Sequence, residues 1–121
     1  MENSNFSIDF YETLNGDCPV EDFIKSQNVK MRAKIYRMLE LLEERGNSLR
    51  MPHSEHLDDG IFQIRAQSGG DIARVLYFFI VGRKIILTNG FIKKTQETPS
   101  AEIELAKKYR AEYLSRLEEQ K

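Results

Sequence analysis

Three apolar segments separated by two tight turns constrain the fold more than any other feature of this sequence. Residues 61–65, 72–81 and 85–91 are rich in the β-branched and aromatic side chains that favour strands. The connections, at residues 68–71 and 81–84, combine glycine with polar or charged residues and suit tight turns. Adjacent parallel strands need a long crossover connection, which these short turns exclude. The sequence therefore predicts an antiparallel meander of three strands.

The segments before the meander predict one strand and two helices. Residues 6–10 alternate apolar and polar side chains, as in a half-buried strand. Pro19 suits the first turn of a short helix. A second helix is predicted from about residue 28 to residue 45, with Gly46 as its C-cap. Its apolar stripe consists of Met31, Ile35, Met38, Leu39 and Leu42.

The remaining segments predict a loop and a third helix. Residues 47–60 contain several Pro, Asp and Gly turn residues and are expected to form a loop. Thr98 and Pro99 are expected to begin the last helix, as its N-cap and its first-turn residue. The expected class is α+β, with two N-terminal helices and one C-terminal helix packed on one side of a small, mostly antiparallel sheet. The buried stripe of the last helix is expected to comprise Ile103, Ala106, Tyr113 and Leu117.

Length and composition favour a single cytoplasmic domain. The chain has 121 residues, 40% of them hydrophobic and 31% charged, which supports one packed domain spanning residues 1–121. Cys18 is the only cysteine, so no disulfide can form within the chain, and a reducing compartment is the simpler expectation. The N-terminal residues lack a cationic leader pattern, and no apolar run reaches the ~18 residues of a membrane span. Secretion and membrane insertion are therefore not expected.

Charge is segregated along the chain, although the net charge is only -1. The first 24 residues contain six acids and no Lys or Arg, whereas residues 61–94 contain six bases and one acid, Asp71. Such a segment can form a cationic patch on a neutral molecule, but Lys and Arg at the edges of a sheet also serve simply as solvated surface. The six bases are Arg65, Arg74, Arg83, Lys84, Lys93 and Lys94.

Several short motifs carry a resemblance to a known family. They are GIFQIR at residues 60–65, ARVLYF at residues 73–78 and NGFIKKTQETP at residues 89–99. Upstream, PVEDFI at residues 19–24 and the helix end ERG at residues 44–46 match the same layout. On these motifs the chain resembles the Gp49-like branch of the RelE/HigB toxin superfamily over nearly its whole length. A RelE-like fold is the corresponding expectation.

The resemblance implies an activity and a partner. It implies an endoribonuclease that cuts messenger RNA, usually in the ribosomal A site, with neither a metal nor an organic cofactor. It also implies a cognate antitoxin, often a helix-turn-helix DNA-binding protein, which keeps the toxin silent. The complex of the two typically represses its own operon, so DNA would be contacted only through that complex. No membrane partner is implied.

Four cations form the primary candidate site. Metal-free RNA cleavage needs a base for the 2′-hydroxyl, cations for the charged transition state and an acid for the leaving 5′-oxygen. Arg65 and Arg74 lie on neighbouring predicted strands and match arginines on the family's active-site face, and Arg can grip phosphate oxygens with two donors. Lys93 and Lys94 follow the next strand and would complete the patch. The alternative is that these are salt-bridge partners and a solvated turn.

The general base is left open by the sequence. His53 and His56 are the only histidines, and histidine exchanges a proton near neutral pH. Both fall in the predicted loop, and His56, which is nearer to the sheet, is the candidate. Five further cations are secondary candidates for RNA binding: Lys30, Lys34 and Arg37 on one helix face, and Arg83 and Lys84 at the second turn.

Three functions remain open at this point. The first is an active RNase toxin, which predicts growth arrest that the neighbouring gene relieves. The second is a toxin fold that has little or no catalytic activity and acts as a binding module in an operon-repressing complex. The third is a phage-derived inhibitor of a host enzyme, which predicts neither growth arrest nor a partner encoded in the same operon.

Overall fold

The predicted meander forms the centre of a five-stranded sheet. The computed structural model describes residues 6–93 and 97–120 of the chain. In chain order, the elements are β1 (Ser7–Phe10), α1 (Pro19–Lys25), α2 (Val29–Arg45), a 3-10 turn (Gly46–Ser48), β2 (Ser54–Asp58), β3 (Ile61–Ser68), β4 (Asp71–Ile80), β5 (Lys84–Ile92) and α3 (Ser100–Glu119). The order of strands across the sheet is β1-β5-β4-β3-β2. The strands β2 to β5 are antiparallel, and β1 pairs with β5 in parallel, which confirms an α+β fold with a mostly antiparallel sheet.

The strand β2 corrects the prediction that residues 47–60 form a loop. Residues Ser54–Asp58 pair with β3 along the edge of the sheet. The turn between the two strands consists of Asp59 and Gly60, whose φ angles of 52° and 79° are both positive. Two positive φ angles suit the two-residue hairpin turn whose twist matches that of the flanking strands. An edge strand can be mostly polar, which is why the apolar pattern did not reveal it.

The helices lie on both faces of the sheet, which corrects the expectation of one helical side. On one face, α1 and α2 form a core with the sheet through residues such as Ile24, Ile35 and Leu42. On the other face, α3 packs Ile103, Ala106, Tyr109 and Tyr113 against the sheet. The reason lies in β4, which is buried continuously from Ala73 to Phe78. A strand whose both faces are buried needs a layer on each side.

The capping residues predict both ends of α2 correctly, whereas α3 begins later than they predict. The Asn28 side chain accepts a hydrogen bond from the Met31 N–H at 2.8 Å, and α2 ends at Gly46 as predicted. The last helix begins at Ser100, with Pro99 at the cap position, so the expected N-cap role of Thr98 is wrong. The Thr98 hydroxyl instead donates to Gln63 Oε1 at 2.5 Å.

Across residues 6–93 and 97–120, none of the helices combines the length and the apolar character that crossing a membrane requires.

Candidate functional site

Two arginines face each other across the central hairpin. Arg65 on β3 and Arg74 on β4 are direct partners in the antiparallel register, and Arg74 is in turn opposite Phe91 on β5. Directly opposed residues of an antiparallel pair project from the same face of the sheet. The two guanidinium groups therefore share one face. Like charges in this arrangement repel, so the pair is unfavourable for folding by itself.

This pair lies on the face of the sheet that α3 covers in part. Gln63, two residues before Arg65 on the same face, accepts a hydrogen bond from Thr98 just before α3. Leu76, two residues after Arg74, is buried in the core beneath α3. Beside these contacts the face holds a cavity of about 270 Å³ that Arg74 lines. The full lining comprises Glu55, Leu57, Gln63, Arg74, Glu97, Thr98 and Ile103.

Arg74 is strongly buried for a charged residue. Its exposed fraction is 4%, and its Nε has no hydrogen-bond partner within residues 6–93 and 97–120. Burial lowers the pKa of Arg74 and the neighbouring Arg65 charge lowers it further, whereas Glu55 opposes the shift. A guanidinium nevertheless stays protonated in proteins. The structure thus holds a desolvated cation that lines the cavity and has one unpaired donor in the described residues.

Glu55 is the residue that the sequence analysis missed. It lies on β2 opposite Gln63, whose Nε2 donates to Glu55 Oε1 at 3.0 Å. Since Thr98 donates to the other end of the same amide, two hydrogen bonds in series hold the carboxylate beside the cavity. No sequence signal pointed to Glu55, because its segment was interpreted as a loop and because its neighbours are distant in sequence.

Lys93 completes the cluster at the end of β5. Its N–H donates to the Ile72 carbonyl at 2.7 Å, which extends the pairing of β5 with β4 by one residue. Burial lowers the pKa of the Lys93 ammonium, and the charges of Arg74 and Arg65 lower it further, against an opposing effect of Glu55. Ile92, the residue before Lys93, is opposite Ala73, so Lys93 lies at the same end of β4 as Arg74. Lys94, the fourth predicted cation, lies outside the described residues.

His56 does not join this cluster. It is a residue of β2 rather than of a loop, and it is opposite Phe62, on the face that packs against α1 and α2. Its ring packs edge-to-face against the ring of Phe62, with the two centroids 5.0 Å apart. Its Nε2 accepts a hydrogen bond from the Gly60 N–H at 3.1 Å. Because side chains alternate along a strand, Glu55 and His56 project from opposite faces. The structure therefore brings Glu55, and not His56, to the two arginines.

The helix cations are spread along α2, on the side of the sheet opposite α3. Lys30, Lys34 and Arg37 are all exposed. Lys34 lines a second cavity that Arg65 also borders, so Lys34 approaches Arg65 from α2. Lys30 lines a separate hollow beside the turn at residues 68–71.

Arg83 and Lys84 lie at the far end of the sheet. Lys93 follows Lys84 by nine positions along β5, roughly 30 Å at about 3.3 Å per residue. Lys84 forms an ion pair with Asp9 at 3.1 Å, and the guanidinium of Arg83 stands 4.8 Å from the centroid of the Phe6 ring. The structure does not bring these two cations to Arg65 and Arg74.

Comparison with protein families shows what the chain is similar to. The family model described as "Phage derived protein Gp49-like (DUF891)" matches residues 22–111, about three quarters of the chain. The matched span contains β2 to β5 in full, and with them Glu55, Arg65 and Arg74, and it also includes Lys93. Among curated proteins, none matches the chain significantly.

Proposed function

The chain belongs to the Gp49-like family of phage-derived proteins, a family associated with RelE/HigB-like toxins, and from this premise we propose that it is the endoribonuclease toxin of a toxin–antitoxin pair. The family membership supports a toxin-like protein with an antitoxin partner. The reaction and its residues are proposed from the geometry described above. The substrate is messenger RNA, cut on the ribosome.

One observation carries this proposal: two opposed guanidinium groups share a face with a carboxylate at an open cavity. A cation pair alone would suit any anion. A carboxylate held beside the pair adds a group that can take up a proton. The combination of proton acceptor and cations is what phosphodiester cleavage through the 2′-hydroxyl requires.

The proposed step is an intramolecular transfer at phosphorus. Glu55 takes the proton of the 2′-hydroxyl, and the 2′-oxygen forms a bond to the adjacent phosphorus. The bond from phosphorus to the 5′-oxygen breaks, which leaves a 2′,3′-cyclic phosphate on one product. Lys93 supplies the proton that the leaving 5′-oxygen needs, so the other product carries a 5′-hydroxyl.

The arginines stabilise the charge that develops between these two proton transfers. Arg74 is desolvated and lines the cavity, so hydrogen bonds from its guanidinium to a phosphate oxygen gain strength in this low-dielectric surrounding. Arg65 contributes a second guanidinium directly across the hairpin. A bound phosphate would also relieve the repulsion between the two cations, so substrate binding and charge neutralisation reinforce each other.

The test is RNA cleavage by the purified protein, alone and with translating ribosomes. We expect products with 2′,3′-cyclic phosphate and 5′-hydroxyl ends, and we expect Glu55→Gln and Arg74→Lys to slow the reaction strongly. Lys108→Gln, an exposed charge change on α3, is the matched control and should be neutral. Induction in cells should stop growth, and co-expression of the neighbouring gene should restore it.

Two outcomes would contradict the proposal. Cleavage that survives Glu55→Gln and Arg74→Lys unchanged would exclude this site as the source of activity. Normal growth on induction, with a stable complex between the protein and a helix-turn-helix partner, would identify the chain as the binding module instead.

A further inference from the structure

A second cavity, of about 250 Å³, opens at the edge of β3 beside α2. Two residues of α2, two residues before β2 and three residues of β3 form its walls. They are Lys34, Met38, Pro52, His53, Arg65, Ala66 and Gln67. Residue Arg65 therefore borders this cavity and also stands directly across from Arg74.

The charge of this cavity favours an anion. Its lining contains Lys34, Arg65 and a histidine but no carboxylate. Within the described part of the chain, neither Lys34 nor Arg65 forms an ion pair with an acid. By contrast, the cavity at Arg74 includes Glu55 and Glu97. The two cavities thus differ in chemistry, because one contains carboxylates and the other contains cations and a histidine without a carboxylate.

The pairing of β2 with β3 ends beside Arg65, which lines this cavity and stands across from Arg74 of the other cavity. Pairing of β2 with β3 begins at Ser54 opposite Ile64, and the Arg65 N–H donates to the His53 carbonyl at 2.9 Å. The strand β3 continues to Ser68, so its last residues extend beyond the part that β2 covers. A single strand of RNA that crosses the edge of the sheet there passes beside Arg65.

We propose that this cavity is a second phosphate subsite, in which Lys34 and Arg65 bind a phosphate of single-stranded RNA adjacent to the one cleaved at Arg74. The subsite rests on the proposed function in one respect only, which is that the neighbouring phosphate at Arg74 is the one cleaved. Its role is binding: it holds the strand across the edge of β3 and thereby fixes which phosphate reaches Arg74. Lys34 is a positioning residue and takes no part in the proton transfers.

The test uses fluorescently labelled 2′-deoxy oligonucleotides, which bind but cannot be cleaved. We compare a dinucleotide with one phosphate and a hexanucleotide on the wild type and on Lys34→Gln. The matched control is Lys108→Gln, which removes the same charge from an exposed position on α3, outside this cavity. We expect Lys34→Gln to weaken binding of the hexanucleotide about fivefold to tenfold, the size of one typical lost hydrogen bond. The dinucleotide should bind Lys34→Gln as it binds the wild type, and both ligands should bind Lys108→Gln unchanged.

The subsite would be overturned if the two lysine variants weakened hexanucleotide binding equally. It would also be overturned if Lys34→Gln weakened binding of the dinucleotide as much as binding of the hexanucleotide. Length-dependent binding in a protein that cleaves no RNA would support the subsite while removing the nuclease proposal. In a protein that does cleave RNA, Lys34→Gln should raise KM for long substrates and leave kcat unchanged. A fall in kcat alone would contradict the positioning role.

Discussion

The side chain of Arg74 opposes stability and serves the proposed reaction. It is buried, it faces Arg65, and its Nε has no hydrogen-bond partner in the described residues. Replacing such a group by an apolar side chain of similar length is often neutral or stabilising. We therefore expect Arg74→Met to raise the free energy of unfolding by about 1 kcal/mol, and to slow RNA cleavage by roughly a factor of 100 to 1,000.

Urea unfolding and single-turnover cleavage measure the two effects separately. Arg37→Met, at an exposed position of α2, should change neither quantity. If Arg74→Met instead destabilised the protein by more than 1 kcal/mol, the guanidinium would have a structural role and its burial would need another explanation.

Lys93 gives the reaction a pH dependence. Burial and the charges of Arg74 and Arg65 lower its pKa below the ordinary lysine value of 10.5. The protonated form is the proton donor, so the rate should fall as pH rises through this lowered pKa, earlier than for an ordinary lysine. The sign for stability is the opposite: the folded state disfavours the charged form, so the contribution of Lys93 to stability improves as the pH rises through the same range.

The variant Lys93→Arg tests this role. Arginine keeps the charge but does not release its proton, so the rate should fall and the alkaline decline should disappear. The measurement is kcat between pH 7 and pH 10, with spontaneous RNA hydrolysis subtracted at each pH. An alkaline decline that persists in Lys93→Arg would assign that decline to another group.

Single positions differ in how far the sequence could predict them. The two-residue period of β-strands places Arg65 with Gln63 and Arg74 with Leu76, but the shared face of the two arginines depends on the register of β3 with β4. The role of the pair remains a prediction. Glu55 reaches them only through the pairing of β2 with β3, and no periodicity within its own segment encodes that contact. Local pattern therefore reveals faces, whereas it does not reveal neighbours across strands.

The hairpin of β2 and β3 holds Glu55 at the site through its turn. Gly60 has a φ of 79°, and a Cβ added there would lie 3.3 Å from Arg110 Nη1. Arg110 itself donates to the Asp59 carbonyl and carboxylate, which ties the turn to α3. We expect Gly60→Ala to lower stability by about 1 kcal/mol, and to lower kcat about tenfold, because small displacements of a reacting group are costly.

The matched control is Gly82→Ala, in the turn between β4 and β5. Gly82 has a φ of 94° with open space around its Cβ position, so the loss of stability should be similar. Its turn lies far from Glu55, and kcat should not change. Equal losses of kcat in the two variants would mean that the activity responds to general destabilisation rather than to the position of β2.

The elements that the sequence predicted well are those with long apolar patterns. The helix α2 begins after Asn28 and ends at Gly46 as predicted, because capping residues and a helical stripe agree there. The strand β2 escaped prediction because one edge of the sheet contacts solvent and needs little apolar surface. Its turn at Asp59 and Gly60 was the available signal, since Asp-Gly is typical of two-residue hairpins. The continuous burial of β4 likewise explains why α3 is on the second face.

The whole molecule separates its charges between the two ends of the sheet. Asp9, in the acidic N-terminal segment, pairs with Lys84 at one end. Arg65, Arg74 and Lys93 gather at the other end, with Glu55 as the nearby acid. The near-neutral net charge of -1 therefore conceals a cationic end whose charges are available to an anion. Composition alone could not predict this arrangement, because it depends on which strands are neighbours.

This separation predicts the salt dependence of nucleic-acid binding. On single strands, the logarithm of affinity falls with the logarithm of salt concentration by about 0.7 for each phosphate that the protein neutralises. Contacts from Arg65, Arg74, Lys93 and Lys34 would give a slope of about -3 if each neutralised one phosphate. Arg74→Met should make the slope shallower by about 0.7. Lys84→Gln should leave it unchanged, because Lys84 already pairs with Asp9 at the far end of the sheet.

Titration of an uncleavable oligonucleotide between 50 and 200 mM salt, a range over which such effects are about tenfold or more, measures these slopes. A slope near zero would mean that the gathered cations do not bind phosphates, whatever else the protein does. Equal changes in Arg74→Met and Lys84→Gln would mean that binding follows total charge rather than its position. Only a loss confined to the end of the sheet that holds Arg65 and Arg74 supports a phosphate path across the edge of β3.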